Sequence, residues 1–224
     1  MNEMESMLAP LSFWEHLTKD QQTETLFNAR IQHYDDRELI YSPARGCLGL
    51  LLVKKGILRT YFSAEDGRRA TVFRIREKEV CVLSMSCLLE DITFDVEIQA
   101  EGACDVVILP ASYLSRLSAD NIYVESFSYK IVTERFSDIM HAVSQLLFFS
   151  LRQRVIAFLL DESTKTESEV LKMTQEQLAE NIGSAREAVS RILKTLAKEK
   201  LIAVNRGEIQ LLDKKSLYPM IELQ

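Results

Sequence analysis

The sequence predicts an α+β protein in three parts: a β-rich sandwich or barrel, one long helix, and a compact helical module ending in a small hairpin. Three observations predict it. Between Ile31 and Leu109, eight short β-rich runs are separated by turns, the spacing of an all-β layer. From about Asn121 to Phe149, apolar residues step by three and four, as on a helix with one apolar seam. From Met173 to Leu212, two capped helical patterns lie close together and are followed by two strand-like runs.

Taken in order, Pro10 to about Arg30 reads as helical, with Leu11, Trp14, Leu17, Leu26 and Phe27 as apolar anchors. The expected strands are Ile31–Tyr34, Glu38–Tyr41, Leu48–Lys54, Gly56–Phe62, Ala70–Ile75, Val80–Ser84, Asp95–Ala100 and Cys104–Leu109. Ser63–Gly67 contains Asp-Gly, a strong hairpin signal, and Gly56 reads as a turn glycine. Ala111–Leu117 reads as a short helix. In the long helix that follows, Tyr129, Val132, Phe136, Ile139, Val143 and Leu146 form a heptad seam suited to a parallel dimer. Phe127 and Ile131 suit packing on the helix's own barrel. Ser150–Glu162 is a further amphipathic helix, and the polar run 163–169 connects it to the last module. These patterns divide the chain into 1–120, 121–149 and 150–224.

In that last module Thr174 and Gln177 have the spacing of a capping box, and Gly183 is a natural helix stop. Ser184 and Glu187 repeat the capping spacing at once. Val189, Ile192, Leu193, Leu196 and Ala197 then mark the buried face of a second helix, 185–199. Two helices joined so tightly describe a helix-turn-helix. Arg186, Glu187, Ser190, Arg191, Lys194 and Lys198 lie at the start of the second helix or along its outer face. Arginine and lysine can donate to guanine edges, and a carboxylate can accept from the cytosine amino group. The N-terminal residues of a recognition helix are the ones that reach bases. Leu201–Val204 and Glu208–Leu212 flank the turn Asn205-Arg206-Gly207, a wing placed to meet phosphate.

The segment TQEQLAENIGSAREAVSRILKTLAKEKLI resembles the winged helix-turn-helix of the CRP/FNR family, which includes the cyclic-AMP receptor protein and the fumarate and nitrate reduction regulator. That family carries Arg-Glu-x-x-x-Arg or Glu-x-x-Ser-Arg in its recognition helix, and Arg186, Glu187, Ser190 and Arg191 hold both patterns. The resemblance implies that Glu187 and Arg191 read bases, that Arg186 and Ser190 tune the choice, and that Thr174 meets a phosphate. It also implies a homodimer on a palindromic operator, RNA polymerase as a further partner, and a cyclic-nucleotide-binding-like β-roll (a jelly-roll, or double-stranded β-helix) as sensor. Leu51–Arg59 with Asp66-Gly67-Arg68 resembles the front of that β-roll.

Charge distribution agrees with a split between sensor and reader. The net charge is −6, yet Met173–Lys215 has eight Lys/Arg against six Asp/Glu, leaving −8 elsewhere. No apolar run approaches the roughly 18 residues of a membrane span. The acidic start, MNEMESMLAP, lacks the basic region of a signal peptide, so a cytoplasmic protein is expected.

The effector is less legible. Family members that bind cyclic AMP grip it with a Gly-Glu-Leu segment and an Arg-Ser pair. The matching stretch here, Val80–Val96, has no Arg, Lys or Gly and carries Glu90, Asp91 and Asp95, which would repel a phosphate. This argues against cyclic AMP, and the lack of cysteines before Cys47 argues against an iron–sulfur cluster. Cys81 and Cys87 are either a thiol switch or buried small hydrophobes. Met85, Leu88, Leu89, Ile92 and Phe94 suit either an apolar pocket or plain core. His16, His33 and His141 show no zinc spacing. A cupin-like enzyme would need clustered metal ligands, and the β-rich segment has only His33. A scaffold dimer would leave Arg186–Arg191 without a purpose. The expected function is therefore a DNA-binding transcription regulator, not an enzyme. It is gated by an unidentified signal or, alternatively, is independent of an effector or responsive to thiol redox state.

Overall fold

The structure, a computed structural model, describes residues 3–65, 69–81 and 96–221. The anticipated Asp66-Gly67 turn, Cys87 and the candidate pocket residues 85–94 lie outside the described residues. By contacts the chain forms two compact units, Met1–Phe62 with Phe73–Asp138, and Ser63–Val72 with Ile139–Gln224.

The first unit opens with α1 (Glu3–Leu8), a 3-10 turn at Trp14–His16 and α2 (Lys19–Asn28). The single helix expected over residues 10–30 is thus interrupted. Thr18 restarts it by accepting from the Gln21 amide while the Gln21 side chain accepts from the Thr18 amide. Leu11, Trp14 and Leu17 are buried as expected, but Phe27 is 88% exposed. Thr25 takes the inward place on α2, and Phe27 lies about 200° further round the helix.

The strands are β1 (Arg30–Tyr34), β2 (Leu39–Tyr41), β3 (Gly49–Ser63), β4 (Arg69–Ile75), β5 (Val80–Cys81) and β6 (Glu97–Pro110). They join in the order β1-β6-β3-β4, with β2 on β6 and β5 on β3. Two pairs of anticipated strands are fused into the long β3 and β6. The β3–β6 register shifts twice between Val53 and Ile57, and Gly56 sits in that irregularity with φ +91°. Gly56 therefore serves a bulge inside one strand rather than a turn. A Cβ there would stand 2.7 Å from the Ala103 carbonyl oxygen and 2.8 Å from Cys104 Sγ.

Helix α3 (Ala111–Asp120) and the base of α4 (Ile122–Phe148) close the core of this unit. Phe127 meets Phe13 edge-on at 5.0 Å, and half-buried Ile131 and Val132 pack against the same cluster. Beyond that base, α4 presents its apolar residues to solvent. Only Val124 and Phe127 are buried along it.

The second unit holds α5 (Leu151–Lys165), β7 (Val170–Leu171), α6 (Gln175–Asn181), α7 (Arg186–Lys198), β8 (Ile202–Asn205), β9 (Glu208–Leu211) and α8 (Lys214–Leu217). A three-stranded sheet, β7-β9-β8, packs with the helices around Val155, Leu178, Val189, Leu193, Leu196 and Ile209. Ser150 caps α5 in a capping box with Gln153. Among the described residues, no helix is long and apolar enough to cross a membrane.

Candidate nucleic-acid interface

The pair α6–α7 is built from the local signals almost as read. Thr174 caps α6, its hydroxyl accepting from the Gln177 amide at 3.1 Å while the Gln177 side chain accepts from the Thr174 amide at 2.8 Å. Gly183 stops α6 with φ +62°, and the Ser184 amide donates back to the Ala179 carbonyl at 2.9 Å. That closure corrects one expectation. Ser184 belongs to the end of α6, Ala185 is the N-cap of α7, and no side chain caps it. The Ser184–Glu187 spacing is a capping box in sequence only.

On α7 the two faces separate cleanly. Val189, Leu193 and Leu196 are buried, while Arg186, Glu187, Arg191, Lys194 and Lys198 are exposed and Ser190 is half-buried. Arg186 stands 3.8 Å from Glu176, the one ion pair that touches this row. An exposed pair at that distance is weak and readily exchanged. Glu187, Arg191 and Lys194 are in no ion pair among the described residues. Long donors and one carboxylate are thus displayed on a rigid helix.

Two arginines fix that helix on α5. The Arg152 guanidinium donates to both carboxylate oxygens of Glu199, at 3.1 and 2.5 Å, just past the end of α7. This bond holds the Glu199 carboxyl below its ordinary pKa. Arg154 donates to the Ile182 carbonyl at 3.0 Å, satisfying the end of α6. Sequence reasoning missed both residues, because their partners lie 47 and 28 positions away. In the wing, Asn205 pairs with Glu208 across β8 and β9, and the Asn205 side chain donates to the Glu208 carboxylate at 3.0 Å. Gly207 turns with φ +79° and leaves Arg206 exposed at the tip.

The expected dimer seam is open to solvent over most of its length. Tyr129 is 58% exposed, Phe136 60%, Val143 39% and Leu146 52%, while Ile139 is half-buried. Val132 departs from the row by packing on its own unit's core. Of the cysteines, Cys81 and Cys104 are buried free thiols, and Cys47 is disulfide-bonded. Cys104 donates to the Ile57 carbonyl at 3.1 Å, and burial holds its thiol pKa above the ordinary value. Cys81 sits on the last pair of the β3–β5 ladder, opposite Leu51.

Comparison with known proteins agrees with this geometry. The model of the Crp-like helix-turn-helix domain family matches residues 153–220. The crystal structure of a regulator from Eubacterium rectale, titled as a member of the CRP/FNR family, is 35% identical. Its match covers 94% of this chain and 97% of that one, with a TM-score of 0.89. The transcriptional regulator SdrP of Thermus thermophilus is 45% identical over 53 residues, which are 24% of this chain and about a quarter of SdrP. The c-di-GMP-responsive global regulator CLP of Xanthomonas campestris is 19% identical with a TM-score of 0.73, over 88% of this chain and all of that one, a likeness of fold.

Proposed function

The chain belongs to the CRP/FNR family of transcription regulators, and from that membership we propose that it is a homodimer that reads a palindromic DNA site with α7. The observation that carries the reading is the outward row Glu187, Arg191 and Lys194 on a helix whose opposite face is buried. Glu187 and Arg191 contact base edges, Arg186 and Ser190 adjust the preference, and Lys194, Arg206 and Thr174 hold the phosphate backbone. The apolar seam of α4 joins two copies, so that two recognition helices fall about one DNA turn apart. RNA polymerase is the further partner, and the cytoplasm is the site of action.

The first unit acts as sensor. A signal that favours one arrangement of α4 shifts the population of dimers able to bind DNA. The sequence of its effector stretch disfavours cyclic AMP. A thiol signal is the second reading, resting on Cys81 and Cys87, the latter outside the described residues.

Selection of random duplex DNA by the purified protein, with and without dithiothreitol, tests the proposal. A palindromic consensus supports a dimeric reader, and dependence on reductant supports the thiol signal. A consensus without two-fold symmetry would refute the dimer arrangement. Failure to enrich any sequence, in buffer and in cell extract alike, would refute the DNA-binding role.

A further inference from the structure

The end of the β3–β4 hairpin packs with the helix-turn-helix. Residues Ser63–Val72 leave the first unit and group with the second, and the chain returns to the first unit at Phe73. Within the second unit two adjacent contacts pin this segment to one spot. The Thr71 hydroxyl donates to the Asn181 side-chain carbonyl at 3.0 Å. A Cβ built on Gly183 would stand 3.1 Å from the Ala70 Cβ, so Ala70 lies against the bare glycine backbone. Both partners belong to the turn that sets the direction of α7: Asn181 ends α6, and Gly183 supplies its left-handed stop.

That turn ends two residues before Arg186. When a recognition helix enters a major groove, its N-terminal residues reach the bases and the preceding turn comes to the groove edge. A protein segment seated on the turn must leave or collide with the DNA backbone. We propose that the β3–β4 hairpin end is an autoinhibitory clasp that holds the helix-turn-helix in a state unable to bind DNA. The clasp rests on the DNA-reading role of α7 given above. Its strands are continuous with the sheet of the first unit, so whatever strains β3 or β4 reaches the reader without passing through α4. Release needs no large force. One hydrogen bond and one small apolar contact are of the order that a modest difference in effector affinity overcomes.

Two full-length variants test the clasp. Thr71→Val keeps the side-chain shape and removes the donor, and Ala70→Glu has no space against Gly183. Amide hydrogen exchange over residues 181–185 is read without DNA, and affinity for the selected operator is then read by fluorescence anisotropy with no effector added. The expected result is faster exchange in both variants and DNA affinity raised about fivefold for Thr71→Val, the weight of one net hydrogen bond. Unchanged exchange would overturn the clasp. Faster exchange with unchanged or weaker DNA binding would overturn its inhibitory role. If the wild-type protein and both variants ignore DNA while exchange still accelerates, the DNA-reading role has failed, and inhibition falls with it.

Discussion

Replacing Arg191 with alanine isolates the proposed base contact from the fold that presents it. Its side chain is exposed on α7 and in no ion pair among the described residues, and alanine is the better helix former. The thermal midpoint should therefore hardly move. A lost arginine–base contact costs on the order of 1–3 kcal/mol per half-site. Two copies on a palindrome double that to about 2–6 kcal/mol, or roughly 30-fold to 10⁴-fold in affinity. The assay is an anisotropy titration at one fixed salt concentration, against the selected operator and against a shuffled duplex. Operator binding should fall steeply and shuffled binding little, with one base position per half-site losing its preference in a repeated selection. Arg206→Ala supplies the contrast, weakening both duplexes alike. An equal loss on both duplexes for Arg191→Ala would make it a phosphate contact, and no loss would remove α7 from the groove.

Three further outcomes follow from the geometry. Gly56→Ala should destabilise the protein by about 2–4 kcal/mol in urea unfolding, because φ +91° and the Ala103 and Cys104 contacts leave no place for a methyl. A loss below about 0.5 kcal/mol would mean that the bulge can relax. His33 Nδ1 lies 2.8 Å from Asp105 across the β1–β6 pair, a bond that raises the His33 pKa above 6.5 and lowers that of Asp105. The His33 contribution to stability is then full below pH 6.5 and lost as pH rises through the raised value. That of Asp105 is present above its ordinary value and lost as pH falls through the lowered one. An NMR titration should find the His33 pKa falling in Asp105→Asn, and an identical pKa in both proteins would contradict the pairing. Phe136→Glu replaces a side chain 60% exposed in the single chain, so the fold should survive while self-association weakens more than 100-fold, from the burial of about two phenylalanines. Sedimentation showing an unchanged dimer would place the interface elsewhere.

How far the sequence carried depended on whether a signal was local. Thr174 with Gln177 caps a helix because both partners lie within one turn, and that bond is where the spacing put it. The period of α4 and the alternation of α7 were legible for the same reason. Ser184 with Glu187 failed because the preceding glycine stop claimed the Ser184 backbone, a competition that residue spacing does not display. Phe27 was misread because an apolar residue on a short amphipathic helix looks the same on either side of the stripe. The fusion of four strand runs into β3 and β6 was hidden by Gly56 and Gly102, both at positive φ inside or beside continuing ladders. Arg152, Arg154 and Thr71 could not be found at all. Their bonds span 47, 28 and 110 positions, and nothing near each residue announces the partner.

The bare upper length of α4 also bears on how the protein is made. A newly synthesised chain carries Tyr129, Phe136, Met140, Leu146, Leu147 and Phe148 at 49–71% exposure, a strip that other nascent chains and chaperones can also grip. On the proposed reading, time spent alone is time spent adhesive, and it shortens as copies accumulate. Expression that is scarce or slow would then lose protein to quality control before it lost any to instability of the folded units.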